Sequence, residues 1–181
     1  MPRLTTENTL LLIIDVQERL LPAMHESAAT AQSCSILARA ASLLHIPVLI
    51  TEQYPEKLGS TVAAIHDAGA EHQVFSKKQF SSCTAEVMAA LLRHPARRHI
   101  LLCGIEAHVC VLQTALDLRD KNYDVFVARD AISSRTTANA EIGWERMRGA
   151  GAIPVSVESA LFELLQTADR PEFKAIHPLI K

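Results

Sequence analysis

The chain has 181 residues, 49% of them hydrophobic, which is enough for one domain with a substantial core. Eighteen Lys and Arg against twenty Asp and Glu leave a formal charge of −2, so the overall electrostatics do not single out a polyanion as partner. The four cysteines have no CxxC pairing and match neither a zinc ribbon nor a dense disulfide framework, which points to a reducing compartment.

The opening MPRLTTENTLLLIID carries no secretory pattern, because its apolar run of about five residues stops at Asp15. No window approaches the ~18 uninterrupted apolar residues of a membrane span. The expectation is a cytoplasmic protein, with Arg3 and the neighbouring threonines leaving a mitochondrial address open.

From there short apolar runs alternate with longer amphipathic stretches, the pattern of successive βα units around a mostly parallel sheet. Strands are predicted at residues 9–14, 47–50, 73–75, 99–103, 124–127 and 152–155. Helices are predicted at 27–45, 84–94, 108–121, 137–148 and 159–166. Ile36, Leu37, Ala40, Leu43 and Leu44, and later Val109, Leu112 and Leu116, recur at helical spacing and read as core stripes. Gly104 permits a sharp turn after its strand, Gly59 reads as a turn residue, and Gly149 and Gly151 end the fourth helix. Asp130 reads as a cap or salt link, and the tail 170–181, with Pro171 and Pro178, is expected to wrap a neighbouring surface or another subunit. The architecture expected is a single α/β domain over 1–181, three layers α/β/α around a six-stranded, Rossmann-like sheet.

In such a sheet ligands bind beyond the carboxyl ends of the strands. Asp15 follows the first strand, Lys77 the third and Cys110 the fourth. LLCGIEAHVC reads as strand, glycine turn and first helical turn, a setting in which orphan N–H groups lower a thiol pKa from about 8.5 to roughly 3.5–7.5. Taken singly, these residues read as a helix cap, a solvated charge and a small core side chain. Together they supply a nucleophile, a carboxylate to take its proton and a cation to support the pair.

At these residues the sequence resembles the isochorismatase-like cysteine hydrolases, which include nicotinamidases and other amidohydrolases. The resemblance runs from about Leu10 to Leu165. It rests on D-x-Q (Asp15, Gln17), K-x-x-F-S (Lys77, Phe80, Ser81) and G-I-x-x-x-x-C (Gly104, Ile105, Cys110), and TEQYPEKLG and FKAIHPLIK are similar to the short, stand-alone members. It implies the isochorismatase-like hydrolase fold, with Cys110 attacking a carbonyl, Asp15 accepting and returning the proton, and Lys77, selected over Lys78 by the K-x-x-F spacing, supporting the pair. It also implies a non-proline cis peptide between Ile105 and Glu106, an oxyanion hole from the backbone N–H groups of Glu106 and Cys110, and a homo-oligomer, dimer or larger.

Isochorismatases proper lack the cysteine, so Cys110 points to acyl chemistry rather than vinyl-ether hydrolysis. Nicotinamidases carry metal-binding Asp and His after the second strand, where this chain reads Thr51, Glu52, Gln53, Tyr54, Pro55, Glu56 with no histidine before His66. The eight histidines form no HxH or HExxH pattern, so neither metal nor other cofactor is expected. Cys83 stands where many relatives have an aromatic residue, and Ala107 where many have threonine. Gln17, Gln53, Tyr54, Phe80 and His108 are the candidate substrate-binding residues, Glu106 sharing their loops. The leading expectation is a metal-independent cysteine hydrolase that cleaves a small carbon–nitrogen amide through an acyl-enzyme, with a small-molecule substrate and no membrane partner. The alternatives are a catalytically weak oligomeric binding or scaffold protein on the same fold, and a nucleic-acid-binding or nuclease protein using the Arg93–His99 cluster (Arg93, His94, Arg97, Arg98, His99).

Overall fold

Every residue of β1, Thr9–Ile14, is buried, as a central parallel strand covered on both faces requires. Leu11 and Ile13 enter one core and Leu10, Leu12 and Ile14 the other, the strict alternation of a pleated strand. The computed structural model describes residues 2–68 and 71–181.

β2 (Val48–Gln53), β3 (His72–Lys77), β4 (His99–Ile105), β5 (Asp124–Ser133) and β6 (Ile153–Val155) complete a six-stranded sheet of order β3-β2-β1-β4-β5-β6. All paired strands are parallel. The order reverses between β1 and β4, and that reversal makes the crevice beyond their carboxyl ends the place for a ligand.

Helices cover both faces. On one side α1 (Ser27–Leu43), α7 (Val157–Leu165) and α8 (Phe173–Ile176) pack over Leu11, Ile13, Leu101 and Phe126. On the other side α4 (Ala85–Leu92), α5 (Leu112–Asp120) and α6 (Thr137–Gly149) cover Leu10, Leu12, Ile100 and Leu102. Short helices α2 (Pro55–Leu58) and α3 (Ala63–His66) lie between β2 and β3. Thr84, Thr136 and Ser156 cap α4, α6 and α7 through their hydroxyls, and Asp130 accepts from Val157 N at 2.9 Å.

Several boundaries depart from the sequence reading. α1 ends at Leu43 because His45 takes a left-handed φ of 53° and Ile46 N donates back to Ala41 O. β2, β3 and β5 run further than their apolar cores, since Thr51, Gln53, Lys77 and Ser133 find polar partners inside the fold, and β4 continues through Gly104 to the buried Ile105. α7 begins at Val157, with Ser156 and Ser159 forming a capping box. The tail packs against its own chain: Ile176 is buried and Phe173 lies between Phe162 and His177. Among the described residues no helix is long and apolar enough to cross a membrane.

Candidate active site

Asp15 leaves β1 with a left-handed φ of 53°, a conformation that Asp tolerates better than most side chains. Its backbone N–H donates to Thr51 O at 3.0 Å, so the turn is held against β2 and the carboxylate is buried. Lys77, the last residue of β3, donates from Nζ to Asp15 Oδ2 at 2.6 Å, to Gln53 Oε1 at 2.7 Å and to Phe80 O at 3.0 Å. These three short contacts match the three protons of an ammonium, and Gln79 O lies further off at 3.4 Å. Lys78 points the other way, exposed, with its Nζ 5.5 Å from the Tyr54 ring centroid.

Cys110 arrives from the neighbouring strand. Gly104 ends the straight part of β4 with a φ of 118°, and a Cβ there would overlap the Ile14 backbone. The peptide between Ile105 and Glu106 is cis. A π-helical turn, Ala107–Val111, follows and leads into α5, with Val109 N and Val111 N both donating to Glu106 O. This turn corrects the expectation of a regular helix from His108. α6 lies close against it, and at Gly143 a Cβ would stand 2.6 Å from Ala107 O.

The Cys110 thiol interacts with both the Asp15 carboxylate and Lys77. Its pKa is pushed up to about 12, first by burial and then by the charge of Asp15, against the opposing pull of Lys77. The expectation of a lowered thiol pKa is therefore corrected: burial beside a carboxylate outweighs the helix-start N–H groups, and the resting group is a neutral thiol. Burial also holds the Asp15 carboxyl above the usual carboxylate range, against Lys77, Thr51 and Cys110. A neutral thiol next to a basic carboxylate is suited to proton transfer during attack.

The structure gathers Asp15, Lys77 and Cys110, but it divides the expected substrate-binding residues. Gln17 is wholly buried: Oε1 accepts from Gln53 N at 2.7 Å, and Nε2 donates to Gln53 O and Gly59 O at 3.0 and 2.7 Å. Gln53 accepts from Lys77 and donates to Lys78 O at 2.7 Å. Both amides are hydrogen-bonded into the scaffold. Tyr54 is half-buried between the Lys57 and Lys78 ammonium groups, Phe80 is 54% exposed, and His108 pairs through Nδ1 with Ser134 Oγ at 2.9 Å. Glu106 Oε2 accepts from Arg135 Nε at 3.0 Å.

Sequence reasoning passed over Thr51, which donates to Asp15 Oδ1 at 2.8 Å, and over Ser82 and Thr114 behind it. The available signal was a polar residue continuing an apolar strand directly beside Ile14. Of the basic cluster, Arg97 donates to Thr6 O and Thr9 O, Arg98 to Lys121 O and Asn122 O, and Arg93 to Gln73 Oε1. These arginines staple the amino-terminal edge of the sheet. A cavity of about 720 Å³ opens at that same edge beside His45, Pro47, His72 and His94, remote from Cys110. Among the described residues no group of three or more His, Cys, Asp or Glu side chains could hold a metal ion.

A doubly wound parallel sheet with an acid, a lysine and a cysteine gathered at its switch point defines an α/β/α fold of the hydrolase type. The chain belongs to the isochorismatase family, whose domain model matches residues 9–159. It is 44% identical over 183 residues to the secreted isochorismatase effector Isc1 of Phytophthora sojae, a match covering 99% of this chain and 87% of that protein. It is similar to the structure of MAR1 ribonuclease from Caenorhabditis elegans, with 34% identity and a TM-score of 0.94 over 99% of this chain and 92% of that one. The fold is also that of the YcaC gene product of Escherichia coli, described as an octameric hydrolase of unknown specificity, at 20% identity and a TM-score of 0.91 over 99% and 90% of the two chains.

Proposed function

We propose that the protein is a metal-independent cysteine hydrolase that cleaves a small carbon–nitrogen amide through a Cys110 acyl-enzyme. The observation that carries this reading is the placement of the Cys110 thiol against an Asp15 carboxylate whose other side is held by Lys77 at 2.6 Å, with both charged side chains shielded from solvent. As Cys110 Sγ bonds to the substrate carbonyl carbon, Asp15 takes the thiol proton. The developing oxyanion is received by the backbone N–H groups of Glu106 and Cys110. Asp15 then hands the proton to the departing nitrogen as the C–N bond breaks. Water, deprotonated by Asp15, attacks the thioester, and the thiol recovers its proton as the acid leaves. Lys77 keeps the carboxylate oriented throughout, while Tyr54, Phe80 and His108 have the exposure to meet a substrate.

A screen of small amides and ureas against the wild type and Cys110→Ala, read by ammonia release and intact mass, tests this. The reading predicts turnover by the wild type alone and an acyl adduct on the Cys110 peptide. Equal turnover by both would overturn it, and ligand binding with no turnover or adduct would favour the scaffold role. The ribonuclease name of the Caenorhabditis elegans relative keeps phosphodiester cleavage as the second reading. RNA degraded by the wild type but not by Cys110→Ala would replace amide with phosphodiester chemistry at this site.

A further inference from the structure

We infer, on the basis of the proposed hydrolase reading, that Thr51 is a positioning residue: its hydroxyl, fed by Ser82, fixes the orientation and sets the basicity of the Asp15 carboxylate that takes the Cys110 proton. The direction of the chain follows from counting protons. A hydroxyl has one to give, and Thr51 donates it to Asp15 Oδ1 at 2.8 Å. The 3.1 Å contact between Thr51 Oγ1 and Ser82 Oγ is then donated by Ser82.

Ser82 is itself fixed. Its backbone N–H donates to Thr114 Oγ1 at 2.8 Å, and the Thr114 hydroxyl donates to Cys110 O at 2.6 Å. Thr51, Ser82 and Thr114 are all wholly buried. A single buried polar path therefore leads from the carboxylate on the β1 end, through β2, the segment before α4 and α5, to the backbone of the residue that carries the thiol. With Lys77 on Oδ2 and Thr51 on Oδ1, both carboxylate oxygens are held and the plane is fixed, while the Cys110 thiol interacts with the same group.

Packing does not account for a hydroxyl here. Valine has the same shape and suits a buried strand, and a buried hydroxyl is unfavourable unless it is bonded. A hydroxyl donor stabilises the ionised carboxylate, and buried chains of hydrogen bonds polarise one another. Lys77 from β3 and Cys110 from the π turn are the titratable groups against Asp15. Neither is altered by a change at residue 51, so a shift seen there is attributable to the lost hydroxyl.

The test follows iodoacetamide alkylation of Cys110, by mass of its peptide, from about pH 4 to about pH 9, across the carboxylate and histidine ranges. The wild type should show a rate that rises with pH to a plateau as Asp15 ionises. Thr51→Val should move that midpoint up by about one pH unit, and Thr51→Ser should leave it in place. Asp15→Asn should lose this limb altogether. A Thr51→Val midpoint equal to the wild type, with the limb lost in Asp15→Asn, would overturn the role of Thr51 and leave the hydrolase reading standing. A limb retained in Asp15→Asn would overturn the hydrolase reading and this inference with it. If Thr51→Val fails to fold, Ser82→Ala replaces it, with a smaller upward shift expected and an unmoved midpoint contradicting the inference.

Discussion

Lys77 Nζ lies 2.6 Å from Asp15 Oδ2, and neither side chain touches solvent. Removing one member of such a pair leaves the other charge buried and uncompensated, at a cost of about 3–5 kcal/mol. Lys77→Met and Asp15→Asn are each expected to lose stability on this scale in urea unfolding. The double variant should recover much of the loss, because no lone charge remains. Losses that simply add would show that the two groups do not stabilise one another.

Alkali should unfold the protein through its thiols. The Cys110 pKa stands at about 12 and that of Cys83 at about 11, both raised first by burial, while an unfolded thiol ionises near 9. A raised folded-state pKa gives stability that is complete below pH 9 and is lost as pH climbs toward 11 and 12, because the unfolded chain releases the proton first. For Cys110 the loss is on the order of a few kcal/mol. Urea midpoints should fall steadily above pH 9, and Cys110→Ala should flatten that slope. A slope unchanged by the substitution would mean the thiol is not held neutral.

Gly143→Ala should show how closely α6 holds the turn that carries Cys110. Alanine raises helix propensity by about 1 kcal/mol, but its Cβ would stand 2.6 Å from Ala107 O in the turn that presents Cys110. The expected result is a turnover loss of about tenfold or more together with a lowered melting temperature, because backbone of the turn must shift to admit the methyl group. A displacement of this size at a reacting group readily costs such factors. Full activity would show that the turn tolerates movement.

The sheet was legible because β1 and the first five residues of β4 are apolar runs bounded by polar or turn residues, and the strand ends therefore placed Asp15, Lys77 and Cys110 together. Lys77 could be told from Lys78 by its motif, and the chain buries Lys77 at the end of β3 while Lys78, just beyond the strand, is exposed. The π turn was not legible, since its apolar spacing matches an α-helix that starts at the same place. A glutamine in a motif shows that an amide is needed but not which way it faces, so Gln17 and Gln53 were read as ligand contacts while they tie β1, β2 and Lys77 together. The Cys110 pKa depends on burial and on Asp15, both long-range properties that local sequence around the cysteine does not carry.

Turnover should survive chelators. Thr51 and Gln53, which occupy the stretch where metal-dependent relatives carry their ligands, are committed to Asp15, Lys77 and the Lys78 carbonyl. Unchanged kcat/KM after EDTA is expected, and loss of activity restored by a divalent ion would mean that a ligand set has been missed.

If Asp15 is the base for the Cys110 thiol, the relative alkylation rates of the cysteines at pH 7 will report it. Cys34 and Cys103 are wholly buried, and the Cys83 thiol is held up by burial and donates weakly toward Thr114 O, while the nearby Asp117 carboxylate is engaged by the Ser81 hydroxyl at 2.6 Å. Cys110 should react first in the wild type, and Asp15→Asn should slow it by roughly 10² or more, within the usual contribution of a positioned base, while the Cys83 rate stays the same. A Cys110 rate equal in the wild type and a folded Asp15→Asn would contradict the account.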